Sequence, residues 1–355
     1  LFDPIDPIIA AETSSTFRGA MLGILMGLTP LSAFIFSPVL GSFSDIEGRK
    51  KTLILGMTAG CLGYVLAVLG IVFHSLTLLF AFRILVGITE GTAAVAQAAL
   101  ADISTESNKS RRFSLFASSA GFGFTIGPFI GGKLADPAMG YGFGYSTPFL
   151  VAGLLCALNL VAIWRLFPES LVVKKKMSFG LGQNFKNLRN VFAWEHLSWL
   201  FATCFLLSFA WAFFNEFISL FLGMNFDFTL SDIGNYFAWG GLWYSLSSGL
   251  LTAPLSGRVS SEKLVLCSLV GCGFTMGLFS MIKESYYIWF TLPILMYFLA
   301  LAFPTLTSLV SNNVRGCNQG EVLGVYHSVQ GLAMGLSPLF AGSIVGAHPA
   351  LTGWG

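Results

Sequence analysis

Ten long runs of residues with almost no charge recur along the chain, at about 18–41, 52–73, 77–102, 113–134, 146–167, 197–222, 231–253, 264–282, 286–310 and 321–345. An apolar stretch of about 18 residues or more is long enough to cross the hydrocarbon core of a bilayer as a helix. Composition agrees. Only 10% of the residues are charged and 55% are hydrophobic, with mean hydropathy +0.76, whereas a soluble domain carries about 25% charged residues. The expected fold class is therefore an all-α integral membrane protein. The chain opens on LFDPIDPII, which reads as the outer end of an earlier helix, and stops at GAHPALTGWG, which reads as a loop leading to another. Twelve spans are expected in the intact protein, with the first and last truncated or missing here.

The nineteen Lys and Arg residues fix an orientation. Fifteen fall in the loop at 42–51 and in every second loop after it, three fall on the other side (Arg18, Lys133, Lys283), and Arg83 lies within a span. Basic residues accumulate on the cytoplasmic side, so 42–51 and the polar stretch after 167 are expected to be cytoplasmic. That stretch divides the chain into an N-terminal transmembrane bundle at 1–167, a central linker at 168–195 and a C-terminal bundle at 196–355. The halves repeat weakly. SAGFGFTIGPFIGG places Gly121, Pro128 and Gly132 where SVQGLAMGLSPLFAG places Gly331, Pro338 and Gly342. Such internal symmetry points to a transporter with its substrate site near mid-membrane, between the halves.

Other classes find little support. A net charge of +2 suggests no nucleic-acid partner, and the six cysteines form no CxxC or Cys/His cluster, so neither a metal site nor a disulfide framework is expected. The chain has no HExxH, GxSxG or paired-histidine pattern, and it is not expected to be an enzyme or to hold a cofactor.

GSFSDIEGRKK (41–51) resembles the Gly-x-x-x-Asp-x-x-Gly-Arg-Lys/Arg motif of the major facilitator superfamily, between its second and third helices. RILVGITEGTAAVAQAALADIS (83–104) is similar to the fourth helix of bacterial tetracycline/proton antiporters. GFTIGPFIGG (123–132) resembles the Gly-Pro motif of the antiporter branch. The resemblance implies the major facilitator fold, two pseudo-symmetric six-helix halves. It also implies a bacterial inner membrane, a proton gradient as the driving force, and a monomer that handles a small molecule within the lipid bilayer.

Within the first motif, Gly41 and Gly48 suit a tight turn, and Asp45 lies four residues from Arg49, within ion-pair reach on a helical turn. Asp102, at the end of its span, is a further expected partner of Arg49. The resemblance implies that Asp45 also meets a helix N-terminus near Glu321 to Leu323. Gly41, Asp45, Gly48, Arg49, Lys50 and Asp102 then form a latch that opens and closes the cytoplasmic side. Solvated charges that only set topology are the alternative. Ile46 and Lys51 depart from the family pattern. Gly123, Gly127, Pro128, Gly131 and Gly132 leave one helix nearly bare along a face, for close packing or, by resemblance, as the seal of an antiporter.

Ionisable residues within spans are costly and usually functional. Arg83 and Glu90 lie seven apart on one helix face with Gly87 between them, and Glu216 lies in a later span. Arg83 matches the arginine that the family links to proton transfer, so Glu90 or Glu216 is the expected proton carrier; structural ion pairing is the alternative. His327 is a further titratable group, and Asp3 and Asp6 are read as external loop residues. Relatives that export tetracycline carry an acid where this chain has Gly63 and another in the span matching 264–282, which holds none, so tetracycline is not the expected substrate. Asn215, Glu216, Asn235, Tyr236 and Trp239 are the expected pocket residues. The expected function is proton-coupled export of a drug, metabolite or chelator, with a proton-coupled importer of a nutrient or siderophore as the alternative.

Overall fold

The computed structural model describes residue 8, residues 14–104, 109–140, 142–171, 195–248, residue 255, and residues 259–312 and 319–347. Asp3, Asp6 and most of the linker lie outside them. Among the described residues there are ten α-helices and no strand. They are α1 (Ser15–Glu47), α2 (Arg49–Val72), α3 (Leu76–Asp102), α4 (Lys109–Ala135), α5 (Thr147–Leu166), α6 (Glu195–Phe226), α7 (Leu230–Leu246), α8 (Ser261–Phe279), α9 (Tyr286–Asn312) and α10 (Gln319–Ala347). Each of the ten apolar runs has become one helix. Seven of them (α1, α2, α3, α5, α6, α8 and α9) are long and apolar enough to cross a membrane.

The helices gather into two compact units. The first holds 1–119, 137–185 and 334–349; the second holds 120–136, 186–333 and 350–355.

In the first unit α3 packs against both α1 and α2, and α5 packs on α2. The reason is legible in α2, whose buried residues include Gly56, Gly60, Gly63 and Gly70. They fall on one helix face, and a Cβ on Gly63 would sit 3.2 Å from Cβ of Leu85 on α3. Lipid tails give apolar helices no hydrophobic reason to associate, so small residues that admit a neighbouring backbone select the face that packs. The opposite face carries Leu55, Leu62, Val65 and Val72, all more than half exposed. Glycine inside and large aliphatics outside is the pattern of a helix solvated by lipid. The N-terminal part of α1 meets the C-terminal half of α10 in the same way: a Cβ on Gly27 would lie 2.5 Å from the Gly335 carbonyl oxygen, and Gly23 lies against Gly342 and the Pro338 carbonyl.

In the second unit a continuous core joins α6, α7, α8 and α9, with Leu222, Tyr236, Phe279, Leu292 and Leu295 at or near zero exposure. The C-terminal half of α4 packs on α7. A Cβ on Gly234 would lie 2.7 Å from the Pro128 carbonyl oxygen and 3.1 Å from Cα of Gly132. The repeat seen in the sequence is thus repeated in contacts. Pro128 and Gly132 meet Gly234 in one unit, as Pro338 and Gly342 meet Gly23 in the other.

Candidate functional site: a one-residue joint and an aromatic cavity

The charged stretch at 42–51 is not a loop. Helix α1 continues to Glu47 and α2 begins at Arg49, so Gly48 alone connects them. Gly48 has φ 116° and ψ 153°, a conformation essentially confined to glycine. Gly41, expected in the turn, is instead helical, and a Cβ there would meet nothing within 4 Å. One glycine does not end a helix whose neighbours are Leu40, Phe43 and Ile46.

Arg49 is almost buried, its side chain 8% exposed, and it gathers the charges around the joint. Its Nη1 lies 2.6 Å from Oδ1 of Asp45, and its Nε lies 2.9 Å from Oδ2 of Asp102 at the end of α3. Nη1 also donates to Oγ of Ser44 at 2.6 Å. Helices α1, α2 and α3 are therefore tied at one end through a single guanidinium, whose fork suits two carboxylates at once. The side chains of Glu321 to Leu323, the expected partners of Asp45, lie outside the described residues. Lys51 pairs with Glu47 at 3.1 Å on an exposed surface.

A residue missed in the sequence completes the cluster. Glu169, just after α5, accepts from the backbone N–H of Arg49 at 2.9 Å and of Lys50 at 3.2 Å. These are among the N–H groups that a helix start leaves without intrahelical partners, and the positive end of the helix dipole favours the carboxylate there. Oε1 also accepts from Leu171 N at 3.1 Å, and the neighbouring Ser170 donates to Oδ2 of Asp102 at 3.4 Å. Partial burial alone would raise the Glu169 pKa, but the backbone N–H groups of Leu171, Arg49, Lys50 and Ser170 hold it below the usual carboxylate range. A Cβ on Gly48 would collide with this carboxylate, a second reason for glycine at 48. The available signal was PES directly after a span that ends on the motif's side of the membrane.

Arg83 and Glu90 both stand on α3. Gly87 between them is taken up by helix packing: a Cβ there would lie 2.5 Å from the Thr29 carbonyl oxygen of α1. The Arg83 guanidinium lies 3.6 Å from Sδ of Met26 and 5.5 Å from the Phe82 ring centroid, while Glu90 is exposed. Asn215 and Glu216 are half-buried on α6. His327, on α10, is exposed, with Nδ1 3.4 Å from Oε1 of Gln330.

Asn235 and Trp239 line one cavity of about 560 Å³ in the second unit, with Thr125 and Phe129 of α4 and Trp289 of α9. Trp239 Nε1 donates to the Trp289 backbone carbonyl at 3.0 Å, which holds the Trp239 indole in the wall. Tyr236 does not share this wall. It is 1% exposed in the core beneath. Residues 235, 239 and 242 lie on one helix face, whereas 236 is turned about 100° away, towards the buried face of Gly240. A second cavity, of about 320 Å³, shares Thr125 and is lined by Trp211, Tyr244 and Phe303, among others. Asn215 and Glu216 line neither. Of the motif glycines on α4, Gly132 makes the close approach to α7, while a Cβ on Gly123, Gly127 or Gly131 would meet nothing within 4 Å.

Residues 4–345 match the profile of the Major Facilitator Superfamily. The chain is 26% identical over 335 residues to the tetracycline resistance protein, class C, of Escherichia coli, covering 92% of this chain and 80% of that protein. It is 27% identical over 335 residues to multidrug resistance protein 2 of Bacillus subtilis (strain 168), covering 91% and 80%. Its fold superposes on a solved D-xylose-proton symporter with a TM-score of 0.70 at 14% identity, covering 98% of this chain and 90% of that one. The transmembrane helices, the Gly48 joint with Arg49 and the repeated Gly-Pro helices thus have a common source: the chain belongs to the Major Facilitator Superfamily of transporters.

Proposed function

We propose that this transporter exports a small amphipathic molecule, a drug, metabolite or chelator, in exchange for protons, by alternating access between its two six-helix halves. The observation that carries the reading is the aromatic cavity against α4: Trp239, Trp289 and Phe129 offer ring faces, and Asn235 and Thr125 offer hydrogen bonds. Apolar walls with a few polar groups suit an amphipathic ligand. The relatives named for tetracycline and multidrug resistance favour export. The cluster of Gly48, Arg49, Asp45, Asp102 and Glu169 is the cytoplasmic latch, with Lys50 and Gly41 beside it. Glu90 or Glu216 carries the proton, with Arg83 as its electrostatic partner. The membrane is a bacterial inner membrane, the joint and linker face the cytoplasm, the protein acts as a monomer, and the proton gradient replaces any cofactor.

The test is proton movement in proteoliposomes with a preset pH gradient, read with a panel of amphipathic compounds for wild type, Glu90→Gln and Glu216→Gln. Compound-dependent collapse of the gradient, lost in one variant, supports the reading. Protons and compound moving in the same direction replace it with proton symport, the activity named for the D-xylose-proton symporter that shares the fold. Proton coupling that survives in both variants removes Glu90 and Glu216 from the mechanism.

A further inference from the structure

Cys61 of α2 and Cys156 of α5 belong to neither the latch nor the aromatic cavity, yet they meet across the seam between two helices. Cys156 packs on the stretch of α2 from Met57 to Gly60, directly beside Cys61. The Cys156 thiol donates to the Met57 carbonyl, one turn before Cys61, at 3.5 Å. A Cβ on Gly60 would lie 3.0 Å from Cys156 Sγ, so this glycine makes the room the thiol occupies. Both cysteines are free and half-buried. Cys61 also opens onto a cavity of about 370 Å³ between the same helices, whose wall includes Tyr64, Phe149, Leu150 and Gly153. Two neighbouring thiols, Cys61 on the wall of an apolar cavity and Cys156 behind it, thus sit between helices that are both long and apolar enough to cross the membrane.

We propose that Cys61 and Cys156 form a dithiol site for a lipid-soluble trivalent arsenical, with the two thiols on the arsenic and the α2–α5 cavity holding its aromatic group. The chemistry balances without an oxidant. A phenylarsine oxide gives up its oxygen, two As–S bonds form, and the oxygen leaves as water with both thiol protons. Arsenic and sulfur keep their oxidation states. A single thiol forms one such bond, easily exchanged; two on facing helices close a ring that a monothiol does not open. The product staples α2 to α5 within the first unit.

The purified full-length protein in detergent micelles is treated with one equivalent of phenylarsine oxide and then with N-ethylmaleimide, and alkylation is mapped by peptide mass spectrometry. Cys61 and Cys156 should be alkylated together at least tenfold more slowly than in the untreated protein. 2,3-Dimercaptopropanol should restore their reactivity, and mercaptoethanol should not. In Cys61→Ser, Cys156 should lose its protection, and Cys61 should lose it in Cys156→Ser. Protection that persists in either variant, that mercaptoethanol reverses, or that falls only on other cysteines of the wild-type protein overturns the proposal. The wild-type mapping stands even if a variant folds poorly.

Discussion

The Gly48 joint gives the sharpest test of the structure. Replacing Gly48 with Ala imposes two separable costs. A non-glycine residue at φ 116°, ψ 153° carries ~1–3 kcal/mol of backbone strain. The new Cβ also falls on the Glu169 carboxylate and drives it from the first turn of α2. Losing an exposed carboxylate at a helix N-terminus costs ~0.5–1 kcal/mol once solvent screening is allowed for. Together the substitution weakens the first turn of α2 by ~1.5–4 kcal/mol, roughly ten- to several hundredfold in its opening equilibrium. Amide hydrogen exchange over residues 48–53, measured in micelles, reads that opening directly, because the Arg49 and Lys50 amides donate to Glu169. Glu169→Gln should raise exchange by the smaller amount alone. In the double variant Gly48→Ala should cost only the strain, so the two effects should fall short of additive by ~0.5–1 kcal/mol. Full additivity would mean that the Cβ and the carboxylate do not compete. An effect of Gly48→Ala below ~0.5 kcal/mol would refute the glycine-only geometry of the joint.

The same contacts set a pH dependence. Because folding lowers the Glu169 pKa, its contribution is complete above the ordinary carboxylate range and is lost as pH falls through the lowered value. Intrinsic-rate-corrected exchange at Arg49 and Lys50 should stay flat at neutral pH and rise only in acid, while Glu169→Gln should show no such rise. Arg49→Ala removes ion pairs to Asp45 and Asp102, which are 28% and 25% exposed. It should lower stability by ~1–3 kcal/mol, between the surface and buried limits, with Arg49→Lys recovering part of it, as read by thermal unfolding in micelles. On the α4–α7 seam, Gly234→Ala places a methyl 2.7 Å from the Pro128 carbonyl oxygen and should cost ~1–3 kcal/mol. Gly127→Ala, with nothing within 4 Å, should be neutral or should gain up to ~1 kcal/mol of helix propensity.

All ten helices were visible as apolar runs, because a membrane span needs one local property over its whole length. Their ends were less visible. Polar residues read as loop at 42–47 are helical, since Ser44, Asp45 and Glu47 find partners at the membrane edge without leaving the helix. The contact between Arg49 and Asp102 was legible because alternating spans bring both to one side. Glu169 escaped because it lies 120 residues from the amide it caps and belongs to no repeat. In the cavity, Asn235 and Trp239 were found by residue type. Tyr236 was swept in with them, and only the rotation of the helix separates it. Thr125 and Trp289 went unnoticed because neither is unusual in its own segment.

A connector of one residue contains no slack. Helix α2 has 24 residues and no proline, so it is an uninterrupted rod about 36 Å long. Its first turn is tied to α1 by Gly48, to α3 by the Arg49–Asp102 pair and to the end of α5 by Glu169. Tied at one end in this way, the rod has the geometry of a lever. A tilt of about 10° at the tied end sweeps the far end through about 6 Å, more than one helical turn. A charge rearrangement at Arg49 that tilted α2 by that much would therefore move its far end by more than the rise of one helical turn.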